Sequence, residues 1–333
     1  GITVMNEVGL DPGIDHFYAL RIINDIHAKG GKIINFYSYC GGLPAPECSN
    51  NPLGYKFSWS PRGVLLALRS TAKYLENGKE VTIEGKDLLK SAKPIFTYPA
   101  FAVEGYPNRD STPFAKYYNV PEAQSFLRGT LRFQGNPAFM QCLVDCGFLD
   151  DTPRDFLAKD APATTWRETF AKLLGCEATS EAIEEAVVKK SGISGESRAR
   201  IIRGMKWLGL FSDNDPIKGG NYLDTLAKTL ESKMSFQEGE RDMILLQHKF
   251  DVELKDGKKQ HITSTMIEYG QPNGTTAMAK TVGIPCGITV QLVLDGKITD
   301  KGVLAPYAPH VYEQLIPLIE QDGIKVVDEI IDL

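Results

Sequence analysis

The 333-residue sequence predicts an α/β fold in which a helical subdomain interrupts a sheet, and three observations carry that prediction. The first sixteen residues, GITVMNEVGLDPGIDH, read as the end of a βα unit. Residues 138–237 hold helical periodicity with almost no strand signal. Alternating β-prone runs flank that stretch, at 32–40 and 128–133 before it and at 243–254 and 261–269 after it.

Each element has a local reason. Ile2 to Met5 is a short β-prone run that stops at Asn6-Glu7. Asp11-Pro12 then reads as an N-cap followed by proline at the first helical position, and Ile14, Tyr18, Ile22 and Ile26 give a helix over 12–29, closed by Gly30-Gly31. Such a helix start offers free backbone N–H groups to an anion, so a cofactor crevice is expected there. Lys32 to Cys40 predicts a strand that breaks at Gly41-Gly42-Leu43-Pro44, and the Gly-, Pro- and Asn-rich stretch to Trp59 is long enough to suggest a functional loop. Ser60-Pro61 repeats the cap-plus-proline start, opening a helix through Thr71. Strand and loop follow to Gln134, with Arg128–Phe133 the clearest strand. Phe170, Leu173, Leu174 and Ile183, Ala186, Val187 mark helices in the subdomain. Met243–Leu254 and His261–Tyr269 form a hairpin at Asp256-Gly257. Thr275–Leu294 predicts an apolar helix interrupted at Gly283-Ile284-Pro285, and 311–319 an amphipathic helix before a short final element.

Composition narrows the function. A net charge of −5 without a long Lys/Arg run gives no electrostatic footprint for nucleic acid or an anionic membrane, which leaves small molecules. The length suits about two or three domains. Six cysteines show no C-x-x-C pair and no metal-ligand spacing, so no metal is expected and the thiols are read as reduced, in a cytoplasmic compartment. No apolar run approaches the ~20 residues of a membrane span, and no signal peptide is visible.

Several residues are candidates for chemistry. Asp11 can be a helix cap, a general acid/base or a cofactor contact, and the cap is the commoner role for Asp before Pro. Cys40 lies directly before Gly41-Gly42, where backbone can approach a planar ring or a phosphate, although a free Cys is usually a small buried hydrophobe. Asn108-Arg109-Asp110-Ser111 offers a cationic fork for a carboxylate, or a surface ion pair. Thr130 and Arg132 share one strand face and can complete an acid-binding pocket or point to solvent. The five histidines make no recognisable triad or metal pattern, and there is no G-x-G-x-x-G.

The blocks NEVGLDPGIDH, YCGGLPAPECSNNPLGYKFSWSPRGVL, YPNRDS and RGTLRF, with a GIP, LDGKI and KGVLAP tail, together resemble the C-terminal three quarters of the saccharopine reductases, the glutamate-forming saccharopine dehydrogenases of the α-aminoadipate route to lysine. The resemblance runs in order through essentially the whole chain. It implies the end of a Rossmann-type domain (1–16), an α+β substrate domain with a mixed sheet (17–137 and 238–295), a helical insert (138–237) and a C-terminal segment (296–333) returning toward the Rossmann domain. The family's glycine-rich phosphate loop has no counterpart in the sequence. The implied reaction condenses the amine of L-glutamate with L-2-aminoadipate 6-semialdehyde and reduces the imine with NADPH to give saccharopine. Carried over residue by residue, Asp11 and Cys40 would sit beside the nicotinamide and the imine nitrogen. Gly9, Leu10, Asp11, Pro12 and Gly13, with Cys40, Gly41, Gly42 and Ser60, would line NADP(H). Asp11, Arg109, Thr130, Leu131 and Arg132 would contact the substrate. A homodimer is expected. Rival readings are NAD-dependent oxidative cleavage of saccharopine in lysine degradation and a non-catalytic protein of the same fold.

Overall fold

The computed structural model describes residues 1–333. Strand β1 (Thr3–Met5) leads through a tight loop, Gly9–Gly13, to helix α1 (Ile14–Ala28). The helix starts two residues later than the Asp-Pro signal predicts: its N-cap is Gly13, and the Asp11-Pro12 peptide is cis. Strand β2 (Lys32–Pro44) does not break at Gly41. It continues because its antiparallel partner pairs with it as far as Leu43 and Pro44. A Cβ on Gly41 would lie 2.9 Å from Leu131 Cβ, so glycine permits the strand to pass there.

Helix α2 (Pro61–Ala67) is capped by the Ser60 side chain, which accepts from the Gly63 N–H, and ends before Thr71 because strand β3 (Ala72–Glu76) begins at Ala72 and pairs with β4 (Lys79–Ile83). After β5 (Lys93–Pro94), β6 (Val103–Pro107) and a short α3 (Thr112–Tyr117), strand β7 runs Ser125–Phe133, three residues longer at its start than the sequence pattern suggests. Five helices follow: α4 (Asn136–Cys146), α5 (Trp166–Leu174), α6 (Ser180–Ser191), α7 (Gly195–Leu208) and α8 (Tyr222–Met234). Strands β8 (Asp242–Glu253) and β9 (Lys259–Tyr269) form the hairpin at Asp256-Gly257, with Gly257 at φ 85°. Helix α9 (Ala277–Leu294) is continuous through Pro285, which departs from the predicted interruption. Pro285 costs α9 one backbone bond, while Thr289 Oγ1 donates to the Pro285 carbonyl. Strand β10 (Gly302–Leu304), α10 (Pro309–Gln321) and β11 (Val327–Asp332) complete the chain.

The main sheet is mixed, ordered β11-β9-β8-β2-β7-β3-β4, with β6 also beside β7 and β5 beside β6. Its parallel pair is β2–β7. A second sheet of two parallel strands joins β1 to β10. One face of the main sheet carries Phe36, Cys40, Phe126, Ile244, Leu246 and Phe250 into a core with α1, α9 and α10. The helical subdomain has its own core, which reaches the sheet through Tyr106 and α2 through Leu65 and Leu68. A smaller cluster around Tyr39, Leu127 and Leu131 fills the opposite face. The 18-residue α9 is long and apolar enough, at a mean hydropathy of 1.4, to pass for a membrane span, and much of it, including Val282, Val290 and Leu294, is exposed.

Candidate active site

Strand β7 alternates, so Phe126, Arg128, Thr130 and Arg132 project to one face. Phe126 belongs to the α1 core, while Tyr106, paired with Thr130, belongs to the helical core. The three polar residues therefore lie at the seam between two apolar clusters, beside Cys40, which pairs with Thr130 in register.

The start of α1 closes over this seam. Arg128 Nη2 donates to Asp11 Oδ1 and to Asp15 Oδ2, each at 2.6 Å, and its guanidinium carbon sits 4.2 Å from the Phe114 ring centroid. Asp15 Oδ1 also accepts the Gly13 N–H at 2.6 Å. His16 Nδ1 meets the Tyr118 hydroxyl at 2.6 Å and Nε2 meets Glu7 Oε2 at 2.9 Å, while Tyr307 donates to the same Glu7 oxygen at 2.6 Å. This network ties the β1–α1 loop to α3 and to the segment before α10.

Electrostatics separate the two aspartates. Burial, followed by the charge of Asp15, pushes Asp11 up to about 6. Burial acts the same way on Asp15, yet His16, Arg128 and the Gly13 N–H together hold it down to about 2. Burial, then the charges of Asp11 and Asp15, raise the Cys40 thiol well above its ordinary range, so Cys40 stays a neutral thiol. Arg132 is buried, stacks 4.8 Å from the Tyr55 ring centroid, and has no carboxylate partner; its hydrogen bond goes to the Leu131 carbonyl at 2.7 Å.

The sequence candidates distribute as follows. Asp11, Cys40, Thr130 and Arg132 come together at the seam. Asp11 is not the cap of α1: its carboxylate meets Arg128, and Asp15 takes the helix-start N–H. Leu131 points into the opposite core with no exposure and offers the site its carbonyl. Arg109 is exposed at φ 55° without an ion pair; its loop still abuts the site, because the Asn108 N–H donates to the Arg128 carbonyl. The Ser60 side chain is engaged in capping α2. The expected open anion site at the α1 start is corrected by the structure, since Ile14 N–H is bonded to Gly9 O and Asp15 N–H to Leu10 O, and two carboxylates face it. That position does not fit a phosphate. Gly9 and Gly42 pack closely against α9, where added Cβ atoms would meet Val282 Cγ1 at 3.4 Å and Met278 Cε at 2.7 Å.

The sequence reading missed Arg128, Asp15 and the group around His16. Strand parity with Thr130 and Arg132 points to Arg128, and the four-residue spacing from Asp11 points to Asp15. Nothing local singles out His16, which lacks exposure altogether and gains its partners from distant segments.

The saccharopine dehydrogenase C-terminal domain family matches residues 9–324. The chain is 54% identical to "Saccharopine dehydrogenase [NADP(+), L-glutamate-forming]" of Schizosaccharomyces pombe, covering 100% of this chain and 74% of that protein. It is 41% identical to mitochondrial alpha-aminoadipic semialdehyde synthase of Bos taurus, over 97% of this chain and 35% of that one. The solved structure of apo histidine-tagged saccharopine dehydrogenase (L-Glu forming) from Saccharomyces cerevisiae superposes with a TM-score of 0.91 at 48% identity, covering 99% of this chain and 74% of the other. With a family match across most of its length and relatives above half identity, the chain belongs to the saccharopine dehydrogenase C-terminal domain family.

Proposed function

We propose that this protein is an oxidoreductase that reduces the imine of L-glutamate and L-2-aminoadipate 6-semialdehyde to saccharopine with NADPH, in lysine biosynthesis. The observation that carries the reading is the seam itself, where a buried carboxyl pair on one guanidinium lies beside a second buried guanidinium without an anion. Saccharopine and its precursors carry several carboxylates, and Arg132 is a desolvated cation suited to one of them. Arg109 adds charge at the rim, and Thr130 a hydroxyl between the two.

Asp11 is the proton-transfer group in this reading. In its protonated form it gives a proton to the hydroxyl that leaves as the C–N double bond forms, and as carboxylate it can take one back. The neutral Cys40 lines the reacting nitrogen as a weak donor. Bound NADPH supplies the hydride to the imine carbon. Gly9 to Gly13 and Cys40 to Gly42 are assigned to the nicotinamide side, with Ser60 farther along it. The same reading keeps the division into a Rossmann end (1–16), a substrate domain, a helical insert (138–237) and a returning C-terminal segment (296–333).

The fungal relatives, at 50–54% identity, favour the NADP-linked, glutamate-forming reaction over the degradative one. Six cysteines without a disulfide support a cytoplasmic location. Val327, Ile330 and Ile331, exposed on edge strand β11, support a homodimer.

The test is NADPH oxidation by the intact protein with glutamate and the semialdehyde. Arg132→Ala is expected to raise KM by at least about tenfold, the loss of a buried charge-assisted pair. A KM within twofold of wild type removes Arg132 from the substrate.

A further inference from the structure

Three features of the α1 start bear on how Asp11 keeps its proton. First, both carboxylates are served by one nitrogen: Arg128 Nη2 spends its two hydrogens on Asp11 Oδ1 and Asp15 Oδ2, while Arg128 Nε is buried without a partner. Second, the aspartates are unequally supplied. Asp15 has a second donor in the Gly13 N–H at 2.6 Å, whereas the side-chain hydrogen bond of Asp11 is the one from Arg128. Two buried carboxyl oxygens that each lie 2.6 Å from the same nitrogen are close neighbours, and their mutual repulsion is relieved when one carboxyl holds a proton. Third, Asp11 is 18% exposed and Asp15 is 1% exposed, so the member facing the pocket is Asp11.

We propose that Asp15 and Arg128 are positioning residues for the reaction, holding Asp11 as the proton-carrying member of a carboxyl pair served by a single guanidinium nitrogen. The pair then carries one negative charge against one positive charge, and the better-served Asp15 keeps the charge. The inference rests on Asp11 being the proton-transfer group. Other ionisable groups facing the pair are His16 on α1, Cys40 on β2, Tyr118 just after α3 and His248 on β8. Glu7 and Tyr307 lie behind His16. The α9 side chains that face Gly9 and Gly42, Val282 and Met278, are uncharged. Neither Asp15 nor Arg128 need touch substrate. Their effect is on when Asp11 holds a proton and where it points it.

The experiment is a carbon-13 carboxyl titration of Asp11 in the intact protein, alongside the pH profile of kcat. In wild type, Asp11 is expected to titrate near pH 6. Asp15→Asn removes the like charge and leaves Arg128 to Asp11 alone, so the midpoint and the matching limb of kcat should both fall by about one pH unit or more, with KM within about twofold. Arg128→Gln removes the compensating charge and should move the midpoint up. A general loosening of the fold does not produce opposite shifts of this kind. An ordinary carboxylate midpoint in wild type, or one unmoved by Asp15→Asn, overturns the proposal; the wild-type titration decides it even where a variant does not fold. Asp11→Asn separates the two layers. If it retains wild-type kcat, the proton-transfer reading falls, and the positioning role with it. If it is inactive while Asp11 titrates at an ordinary value, only the carboxyl pair is overturned.

Discussion

His248 shows how far one buried side chain can set pH behaviour. It is 1% exposed on β8, with its ring 5.7 Å from Phe36 and 6.2 Å from Phe250, and neither ring nitrogen has a partner. Burial pushes it down to about 4. The folded state therefore binds this proton less readily than the unfolded chain does. Its contribution is intact above the unfolded value of 6.5 and is lost as pH falls toward 4. His248→Phe, matching the aromatic neighbours, should be about 2 kcal/mol more stable relative to wild type at pH 4.5 than at pH 7.5 in denaturant titrations. An equal offset at both pH values would show that His248 does not titrate on unfolding. Asp11 acts in the opposite sense: its raised folded value contributes stability below 3.8, which is lost as pH rises through about 6. Arg132 depends on its neighbour too, since Tyr55 covers its guanidinium. Tyr55→Ala should raise the substrate KM by severalfold while leaving the Asp11 limb of kcat in place.

At the scale of elements, the loop before α1 decides where Asp11 stands. Gly13 has φ 150°, and a Cβ there would lie 2.0 Å from Gly9 O. Gly9 N–H in turn donates to Pro12 O at 3.1 Å and Ile14 N–H to Gly9 O at 2.8 Å, so the loop closes on itself. Gly13→Ala should cost about 3 kcal/mol and depress kcat more than KM, because opening the loop moves Asp11 off Arg128. Stability and kcat both near wild type would show the loop tolerates a side chain. The sequence made α1, β2, β7 and the β8–β9 hairpin legible through periodicity and turn chemistry. It misplaced their ends. Asp11-Pro12 carries the letters of a cap, yet Gly13 caps α1, because the ion pair to Arg128 on a strand 117 residues away claims the Asp11 carboxylate. Gly41-Gly42 carry the letters of a break, yet pairing to β8 extends β2 through them.

Across the whole molecule, the site is a junction. Asp11 and Asp15 stand on the α1 core, Arg132 and Tyr55 at the helical core, and β7 connects them. A ligand with several carboxylates, held at Arg132 and reaching Asp11, ties the two cores together in the folded state. Saccharopine at about 100 times its Kd should therefore stabilise the intact protein by about 2.7 kcal/mol, read as a rise in Tm, and Arg132→Ala should abolish most of that rise at the same concentration. An undiminished rise in the variant would place the ligand elsewhere.

The sequence by itself determined the fold class, most of the elements, the helical insert and the family, because local periodicity, turn residues and ordered motif blocks are all written along the chain. It also brought Asp11, Cys40, Thr130 and Arg132 forward as candidates. Only the tertiary structure decided that Gly13 caps the helix and that Asp11 and Asp15 share one guanidinium. Those outcomes depend on Arg128 and on burial, and burial is a property of segments that meet in space from opposite ends of the chain.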